Sequence, residues 1–158
     1  MQNSVTLRKF SPNDLQEVMK INRICLPENY TDMFFMDLYR RFPETYIIAE
    51  ENKKILGYIM CRIEVGLSNF GLSGLIRKGH VVSIAVLPNG RRKGIALGLM
   101  ERAMQGMSHY KAKQCYLEVR ATNKAGISLY KKLGFKISRT SYGYYSDGED
   151  AYIMTKNL

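Results

Sequence analysis

The segment from His80 to Leu87 constrains the fold more than any other part of the chain. It reads His-Val-Val-Ser-Ile-Ala-Val-Leu and is followed by Pro88. A nearly continuous apolar run of this length is typical of a strand that is buried on both faces. The sequence therefore predicts a sheet that is covered on both sides near this strand.

The other elements are predicted from hydrophobic periodicity and from turn residues. Their order is strand, two helices, three strands, helix, strand, helix and two strands, which predicts a mixed α/β sheet with helices on both faces. The segment from Gly66 to Gly79, with four glycines and two serines, is predicted as a long loop. Strands are predicted at 5–8, 46–50, 55–63, 80–87, 116–120, 135–139 and 151–154, and helices at 11–26, 34–42, 95–107 and 123–132.

Length and composition limit the classes of protein to which this chain can belong. A chain of 158 residues with 46% hydrophobic residues is predicted to form one compact domain, over residues 1–158. Because it has no uncharged apolar run of membrane-spanning length and no signal-peptide pattern, we expect a soluble, cytoplasmic protein. The cysteines are only Cys25, Cys61 and Cys115 and the histidines only His80 and His109, which argues against a disulfide framework and a zinc cluster.

The chain carries a formal charge of +10, from 24 basic and 14 acidic residues. This charge would attract RNA, an anionic membrane or a polyphosphate cofactor, and by itself it does not choose among them. The basic residues are dispersed, except for the cluster Arg91-Arg92-Lys93.

That cluster lies in a turn between the buried strand and a long amphipathic helix. Gly94 follows it, so the backbone could approach an anion closely, while the helix N-terminus would supply free amide groups. The chain contains neither GxGxxG nor GxxxxGK[ST], so a dinucleotide site and a Walker loop do not fit. These residues alone leave open a phosphate site or an ordinary basic turn.

Two segments resemble motifs of the GNAT acetyltransferase superfamily. Arg91 to Ala96 matches the R/Q-x-x-G-x-G/A signature, and the segment from Ala125 to Phe135 resembles the second motif, A-x-x-L-Y-x-x-x-G-F. The resemblance implies the GNAT fold, a mostly antiparallel twisted sheet with a splayed parallel strand pair and about four helices on both faces. It also implies that acetyl-CoA is bound by residues Ile84, Ala85, Val86, Arg91, Arg92, Lys93, Gly94, Ile95, Ala96, Asn123 and Tyr130.

Four segments are similar to the RimI-like N-terminal acetyltransferases, which include archaeal enzymes and the catalytic subunit of eukaryotic NatA. They are 26–30 (Leu-Pro-Glu-Asn-Tyr), 77–83, the signature loop and 143–152. The resemblance implies that protein N-termini are the substrate, without a metal, and that the groove is lined by Leu26, Glu28, Tyr30, Tyr144 and Tyr145. The segment from Gly66 to Gly79 is longer than in the eukaryotic subunit.

The resemblance also implies chemical roles. An α-amino group is mostly protonated at neutral pH, and Glu28 and His80 would remove its proton through ordered water. Tyr130 would protonate the departing thiolate, and a backbone amide of a bulged strand at 82–86 would stabilise the oxyanion. Direct transfer in a ternary complex is expected; an acetyl-cysteine intermediate is the weaker alternative.

Two other functions stay open at this point. One is an acetyltransferase for lysine side chains or small amines, which would need the signature loop but not the segments 26–30 and 143–152. The other is a ribosome-associated or RNA-binding module, which would explain the charge, although basic residues are not interleaved with aromatics on one evident face. The basic surface could also bring the enzyme to a ribosome.

Overall fold

In the computed structural model, which describes residues 4–71 and 74–158, the strands and helices follow the predicted order. The strands are β1 (Thr6–Lys9), β2 (Ile47–Glu51), β3 (Lys54–Leu67), β4 (Leu75–Val86), β5 (Gln114–Arg120), β6 (Lys136–Ser141) and β7 (Ala151–Asn157). The helices are α1 (Leu15–Cys25), α2 (Asp32–Arg41), α3 (Ile95–His109) and α4 (Lys124–Lys132). Short 3₁₀ turns precede α1, β2 and α3.

The strands form one sheet in the order β1-β2-β3-β4-β5-β7-β6. Every neighbouring pair is antiparallel except β4 and β5, which run parallel. Their pairing covers only Lys78 to His80 against Gln114 to Tyr116, so beyond these residues the two strands diverge. The predicted sheet with a splayed parallel pair is confirmed, and the splay opens a gap in the middle of the sheet.

A β-bulge lies on β4 at the start of this gap. Met60 of β3 pairs with Ser83, whereas the next residue, Cys61, pairs with Val81, so Val82 has no partner on β3. A bulge bends its strand and turns the backbone groups of the extra residue away from the ladder. The predicted bulge in segment 82–86 is therefore present at Val82.

The helices cover both faces of the sheet. α1 and α2 pack on one face around Val18, Phe35 and Tyr58, and α3 packs on the other around Leu99 and Met107. The methionine stripe of α3 is core, as its helical spacing indicates, because Met100 and Met107 are fully buried. In the described part of the chain, no helix is long and apolar enough to cross a membrane.

The predicted loop from Gly66 to Gly79 is wrong for most of its length. β3 continues to Leu67 and β4 begins at Leu75, so a long hairpin occupies the segment. The high glycine content led to the prediction of a loop, but Gly66 and Gly79 lie inside strands. A Cβ atom at Gly79 would collide with the side chain of Met107, which explains a glycine at that strand position.

Candidate active site

The gap between β4 and β5 opens into a cleft of about 570 Å³ on the face that carries α1 and α2. One wall is the segment between α1 and α2, and the opposite wall is the segment between β6 and β7. All of the predicted catalytic and peptide-binding residues line this cleft, together with two residues that were predicted to bind the cofactor, Ile84 and Asn123. They are Leu26, Glu28, Tyr30, His80, Ile84, Asn123, Tyr130, Tyr144 and Tyr145.

A smaller cavity of about 280 Å³ surrounds the signature loop. Two of the predicted cofactor residues do not line either cavity. The side chain of Ala85 is buried in the core beneath α1, because it lies on the opposite side of β4 from Val86. Lys93 pairs instead with Glu51, at 3.4 Å. The residues that line the small cavity include Val86, Arg91, Arg92, Gly94, Ile95, Ala96, Leu129 and Lys132.

The signature loop presents free amide groups. Gly94 has φ 73° and is the N-cap of α3, and Arg92 also has a positive φ, of 62°. The first helical hydrogen bond of α3 is donated by the amide of Gly98 to the carbonyl oxygen of Gly94, at 3.0 Å. The preceding amides of the first turn therefore have no helical acceptor. A helix N-terminus of this kind, with two arginines beside it, has the donors and the charge that suit an anion.

His80 is held at both ring nitrogens. The Nε of Arg62 donates to Nδ1 at 3.1 Å, and Nε2 lies 2.8 Å from the carboxylate of Glu118. Since Nδ1 accepts a hydrogen bond, the ring proton is on Nε2 and is donated to Glu118. The ring also stacks on Tyr116, with centroids 4.5 Å apart. In this arrangement His80 has no free lone pair.

Arg120, at the end of β5, joins the two walls of the cleft. Its Nη2 donates to Glu28 at 2.8 Å, and its Nη1 donates to Asp147 at 2.9 Å and to Glu149 at 2.7 Å. Its guanidinium carbon lies 4.0 Å from the ring centroid of Tyr145. The hydrogen bond that Arg120 donates to Glu149, and those that it donates to the other two carboxylates, raise the pKa of Arg120 further, so the guanidinium stays charged.

Arg62, Glu118 and Arg120 were not predicted from the sequence, although the signal for two of them is present. Polar and apolar residues alternate over Cys115-Tyr116-Leu117-Glu118-Val119-Arg120. Such alternation places Tyr116, Glu118 and Arg120 on one face of β5. Two charged residues on one face of an otherwise buried strand point to a polar cleft.

A model of the acetyltransferase (GNAT) family matches residues 15–135. The chain belongs to this family. It is 48% identical, over 97% of its length and 93% of the relative, to an N-alpha-acetyltransferase of Saccharolobus solfataricus. It is 36% identical to the N-terminal acetyltransferase A complex catalytic subunit NAA10 of Arabidopsis thaliana, over 98% of the chain and 78% of the relative. The crystal structure of Ard1 from Thermoplasma volcanium matches with a TM-score of 0.83 at 30% identity, over 98% of this chain and 97% of that one.

The acetyltransferase uses acetyl-CoA, and its two cavities fit that molecule. The free amides at the start of α3, with Arg91 and Arg92, suit a pyrophosphate, and nothing lies within 4 Å of where a Cβ of Gly94 would project. The splay of β4 from β5 exposes the backbone of the bulged strand at Val82 beside the cleft. When bound, the cofactor supplies the acetyl thioester and a thiolate leaving group.

Tyr130 and Asn123 also line the cleft of this acetyltransferase. Burial raises the pKa of Tyr130 to about 12, so its hydroxyl keeps its proton at neutral pH. The side chain of Asn123 accepts a hydrogen bond from the amide of Gly126 at 3.0 Å and so caps α4. Asn123 therefore has a structural function in addition to its position in the cleft.

The tyrosines of the cleft are also protonated. The hydroxyl of Tyr144 donates to Glu118 at 3.3 Å, and burial and this carboxylate raise its pKa to about 12. Burial and the charge of Glu28 raise the pKa of Tyr30, which stacks on Phe34 with centroids 4.8 Å apart. The hydroxyl of Tyr30 is thus a hydrogen-bond donor on one wall, whereas the hydroxyl of Tyr144, on the opposite wall, donates its proton to Glu118 and presents its oxygen as an acceptor.

The three cysteines stay in the thiol form. Cys25 lines the cleft, donates to the carbonyl oxygen of Val86 at 3.6 Å and has a pKa raised by burial. Cys61 and Cys115 are buried in the core, which raises the pKa of both thiols. A thiol without a base is a poor nucleophile, and this favours direct transfer. The described residues contain no group of three or more His, Cys, Asp or Glu side chains suited to a metal ion.

Proposed function

We propose that this acetyltransferase, acting as a single domain, transfers the acetyl group of acetyl-CoA to the α-amine of protein N-termini, and that the amine enters between Tyr30 and Tyr144. The observation that carries this proposal is the cleft whose walls are joined by Arg120 and which ends at the splayed strands. An extended chain end fits a cleft that is lined by tyrosines and charged groups, and its first peptide bonds can accept a hydrogen bond from the hydroxyl of Tyr30 and donate one to the hydroxyl oxygen of Tyr144.

The reaction needs a neutral amine. An α-ammonium group has a pKa of about 8, so most of it must lose a proton before it attacks the thioester carbon. We assign the proton acceptor to Glu118, acting directly or through one water, because this carboxylate faces the cleft and is oriented by His80 and Tyr144. His80 would then position Glu118, because Arg62 occupies the only lone pair of its ring.

Glu28 has a different place in this scheme. Its carboxylate is already paired with Arg120, and its backbone carbonyl accepts a hydrogen bond from the side-chain amide of Asn22 at 3.1 Å. Glu28 is therefore well placed to attract the α-ammonium group to the entry and to share in proton removal through water. An acidic first side chain would be repelled there.

The remaining steps involve the cofactor side of the cleft. The amine nitrogen attacks the carbonyl carbon, and an amide of the bulge at Val82 stabilises the negative oxygen. The carbon–sulfur bond then breaks, and Tyr130 donates its proton to the thiolate, whose thiol pKa is near that of cysteine, about 8.5. The first proton that the amine lost passes from Glu118 to solvent. The nitrogen loses a second proton as the amide forms, and this proton, carried by water, restores the hydroxyl of Tyr130, so that one proton is released per acetyl group transferred.

The experiment that tests this function uses purified protein, acetyl-CoA and a panel of free peptides that differ in their first two residues. Mass spectrometry with fragmentation locates the acetyl group. We expect it on the α-amine, with Ser, Ala and Met accepted as first residues. Acetylation confined to internal lysines, or no acetylation of any peptide, would contradict the proposal.

A basic surface supports a further part of the proposal, association with ribosomes in the cytoplasm, where N-termini emerge. Only two acidic residues, Glu101 and Glu118, occur between Arg77 and Arg139. The exposed bases without an ion pair in the part of the chain that the structure describes include Arg77, Lys111, Lys113, Lys124, Lys131 and Lys136. Co-sedimentation with ribosomes that weakens steeply as salt rises is expected; no sedimentation at low salt would contradict it.

A further inference from the structure

A second cavity, of about 510 Å³, lies on the same face of the sheet as the active-site cleft. Tyr116 forms part of its wall, and this ring stacks on His80, which lines the cleft. Lys78 and His80 are two residues apart on β4, and Tyr116 and Glu118 are two apart on β5. His80 and Glu118 form one row of side chains across the two strands, here called the catalytic row, and Lys78 and Tyr116 form the next row. The cavity therefore begins one row beyond the catalytic row, and no function described so far uses it.

The far wall of this cavity is formed by Ser68, Asn69 and Gly71 at the start of the β3–β4 turn, and hydrogen bonds hold Ser68 and Asn69 against the sheet. Asn69 donates from its backbone amide to Gln114 at 3.0 Å and from its side-chain amide to Thr155 at 3.1 Å. Gln114, which is almost fully buried, also donates to Ser68 at 2.7 Å. The extra length of this segment thus builds a fixed wall at the described residues 68 and 69.

The cavity is positively charged. Lys78 is only 8% exposed, and its ammonium group donates to the carbonyl oxygen of Leu67 at 3.0 Å and to the side chain of Asn69 at 2.6 Å. An ammonium group has three donors, and within residues 4–71 and 74–158 no carboxylate lies within ion-pair distance of this one. The ammonium also lies 4.8 Å from the ring centroid of Tyr116, a cation–π contact that stabilises it but supplies no counter-ion, so an incoming carboxylate would stabilise it further.

The other charged groups at the cavity do not cancel this charge. Arg139 on β6 lines the cavity, is exposed and has no ion pair among the described residues. Glu64, the nearest carboxylate on β3, accepts a hydrogen bond from Tyr116 and lies 3.6 Å from Arg62. Its charge is therefore compensated by Arg62, which lines the active-site cleft and not the second cavity.

The cavity lies within reach of a polypeptide whose amine is at the catalytic row. Two residues along a strand cover about 6.6 Å, so the row of Lys78 is about 7 Å from the row of His80, and Leu75, the strand residue next to the turn, is about 17 Å away. An extended acceptor advances about 3.3 Å per residue. Its third to fifth residues would therefore lie in the cavity.

We propose that this second cavity, between Lys78, Tyr116 and Arg139, binds the third to fifth residues of the acceptor polypeptide and selects acidic side chains there. The proposal rests on the N-terminal acetyltransferase function given above. It adds a determinant of substrate choice beyond the first two residues, built by the hairpin turn.

The test uses peptides of eight residues that share residues one, two and six to eight and carry Glu, Gln or Lys at positions three to five. The efficiency kcat/KM of the wild-type enzyme should fall in the order Glu, Gln, Lys, by about threefold to tenfold per exchange, mainly through KM. The order should weaken as salt rises, because part of the cavity is open to solvent.

Two matched charge-reversal variants test whether the preference for acidic peptides arises at the second cavity. Arg139→Glu should abolish or invert the order, whereas Lys136→Glu, on the same strand but not lining the cavity, should preserve it. Equal efficiency for the three peptide types, or the same loss of preference in both variants, would overturn the proposal and leave N-terminal acetylation intact. Failure to acetylate the α-amine of any of the peptides would overturn both.

Discussion

Arg120 of β5 and Glu28 of the segment before α2 are joined by a hydrogen bond of 2.8 Å between Nη2 and Oε1, across 92 residues of sequence. Because Arg120 also holds Asp147 and Glu149, one side chain fixes both walls of the cleft. Fixed walls lower the conformational cost of binding a flexible chain end. The geometry of the peptide entry therefore depends on the guanidinium group of Arg120 and not only on its charge.

The first prediction concerns this guanidinium group. Arg120→Lys keeps the positive charge, but a single ammonium group cannot hydrogen-bond to Glu28 on one wall and to Asp147 and Glu149 on the other at the same time. The walls of the cleft would no longer be held together, so KM for peptides should rise about tenfold to a hundredfold. The dissociation constant of acetyl-CoA, measured by calorimetry, should change less than twofold. The control is Arg102→Lys on the exposed side of α3. A peptide KM equal to that of the wild type would contradict this role.

The second prediction concerns the proton acceptor. Glu118→Gln retains an acceptor for the Nε2 proton of His80 but removes the basic carboxylate, so kcat should fall about a hundredfold or more. Acetyl-CoA affinity should be unchanged, which separates this effect from loss of the fold. If the variant turns over at the wild-type rate from pH 6 to 9, the proton acceptor is another group.

Gly94 provides the third prediction. Gly94→Ala places a methyl group in the space where the pyrophosphate approaches the loop, so the dissociation constant of acetyl-CoA should rise at least tenfold. Gly74→Ala is a matched control, because its φ is also positive, at 94°, and the added Cβ also meets no atom within 4 Å. Both variants carry the same kind of backbone strain, yet only the first should lose affinity. Equal acetyl-CoA affinities for the two variants would show that the signature loop does not bind the cofactor.

The fourth prediction is a pH dependence of stability. Burial raises the pKa of Asp14, but hydrogen bonds from Arg8 at 2.8 and 2.9 Å and from the amide of Ser11 lower it by more, so the folded-state pKa lies below the usual value. Asp14 therefore contributes stability above about pH 4, and this contribution is lost as pH falls through the folded-state pKa.

In the corresponding experiment, Asp14→Asn should destabilise the fold by about 1 to 3 kcal/mol at pH 7 and flatten the decline of Tm between pH 5 and 3. Asp37→Asn breaks only the exposed pair with Arg41 and should cost less than about 0.5 kcal/mol. Parallel pH profiles for wild type and Asp14→Asn would show that Asp14 is not responsible for acid sensitivity.

The local pattern of apolar residues was sufficient to predict many of the strands and helices. The apolar run at His80 to Leu87 predicted the central strand, and the spacing from Ile95 to Met107 predicted α3. The prediction of a loop from Gly66 to Gly79 was wrong because Gly66 and Gly79 lie inside strands, where Gly79 makes room for Met107, and only Gly71 and Gly74 lie in the turn with positive φ. Glycine content cannot distinguish these two uses before the partner helix is placed.

The site was predicted less completely, and the missing residues share a property. Glu28, His80 and Tyr130 were found through segments that resemble a family, whereas Arg62 and Arg120 act through partners that are distant in sequence. Only the folded sheet brings β3 beside His80 and the end of β5 beside Glu28. Local sequence therefore could not show that both predicted bases are already engaged by arginines.

The acceptor amine is the central claim, and one ratio tests it most directly. The efficiency kcat/KM is measured for a free peptide without lysine and for the same peptide blocked at its N-terminus and carrying one internal lysine. Amine ionisation alone, with pKa values of about 8 and 10.4, favours the α-amine about 230-fold at pH 7 but only about ninefold at pH 9.5. Recognition of the chain end by Tyr30, Tyr144 and the joined walls predicts a ratio that stays above about 100 at pH 9.5. A ratio that falls to about nine would contradict N-terminal recognition and would indicate an enzyme that acetylates any accessible amine.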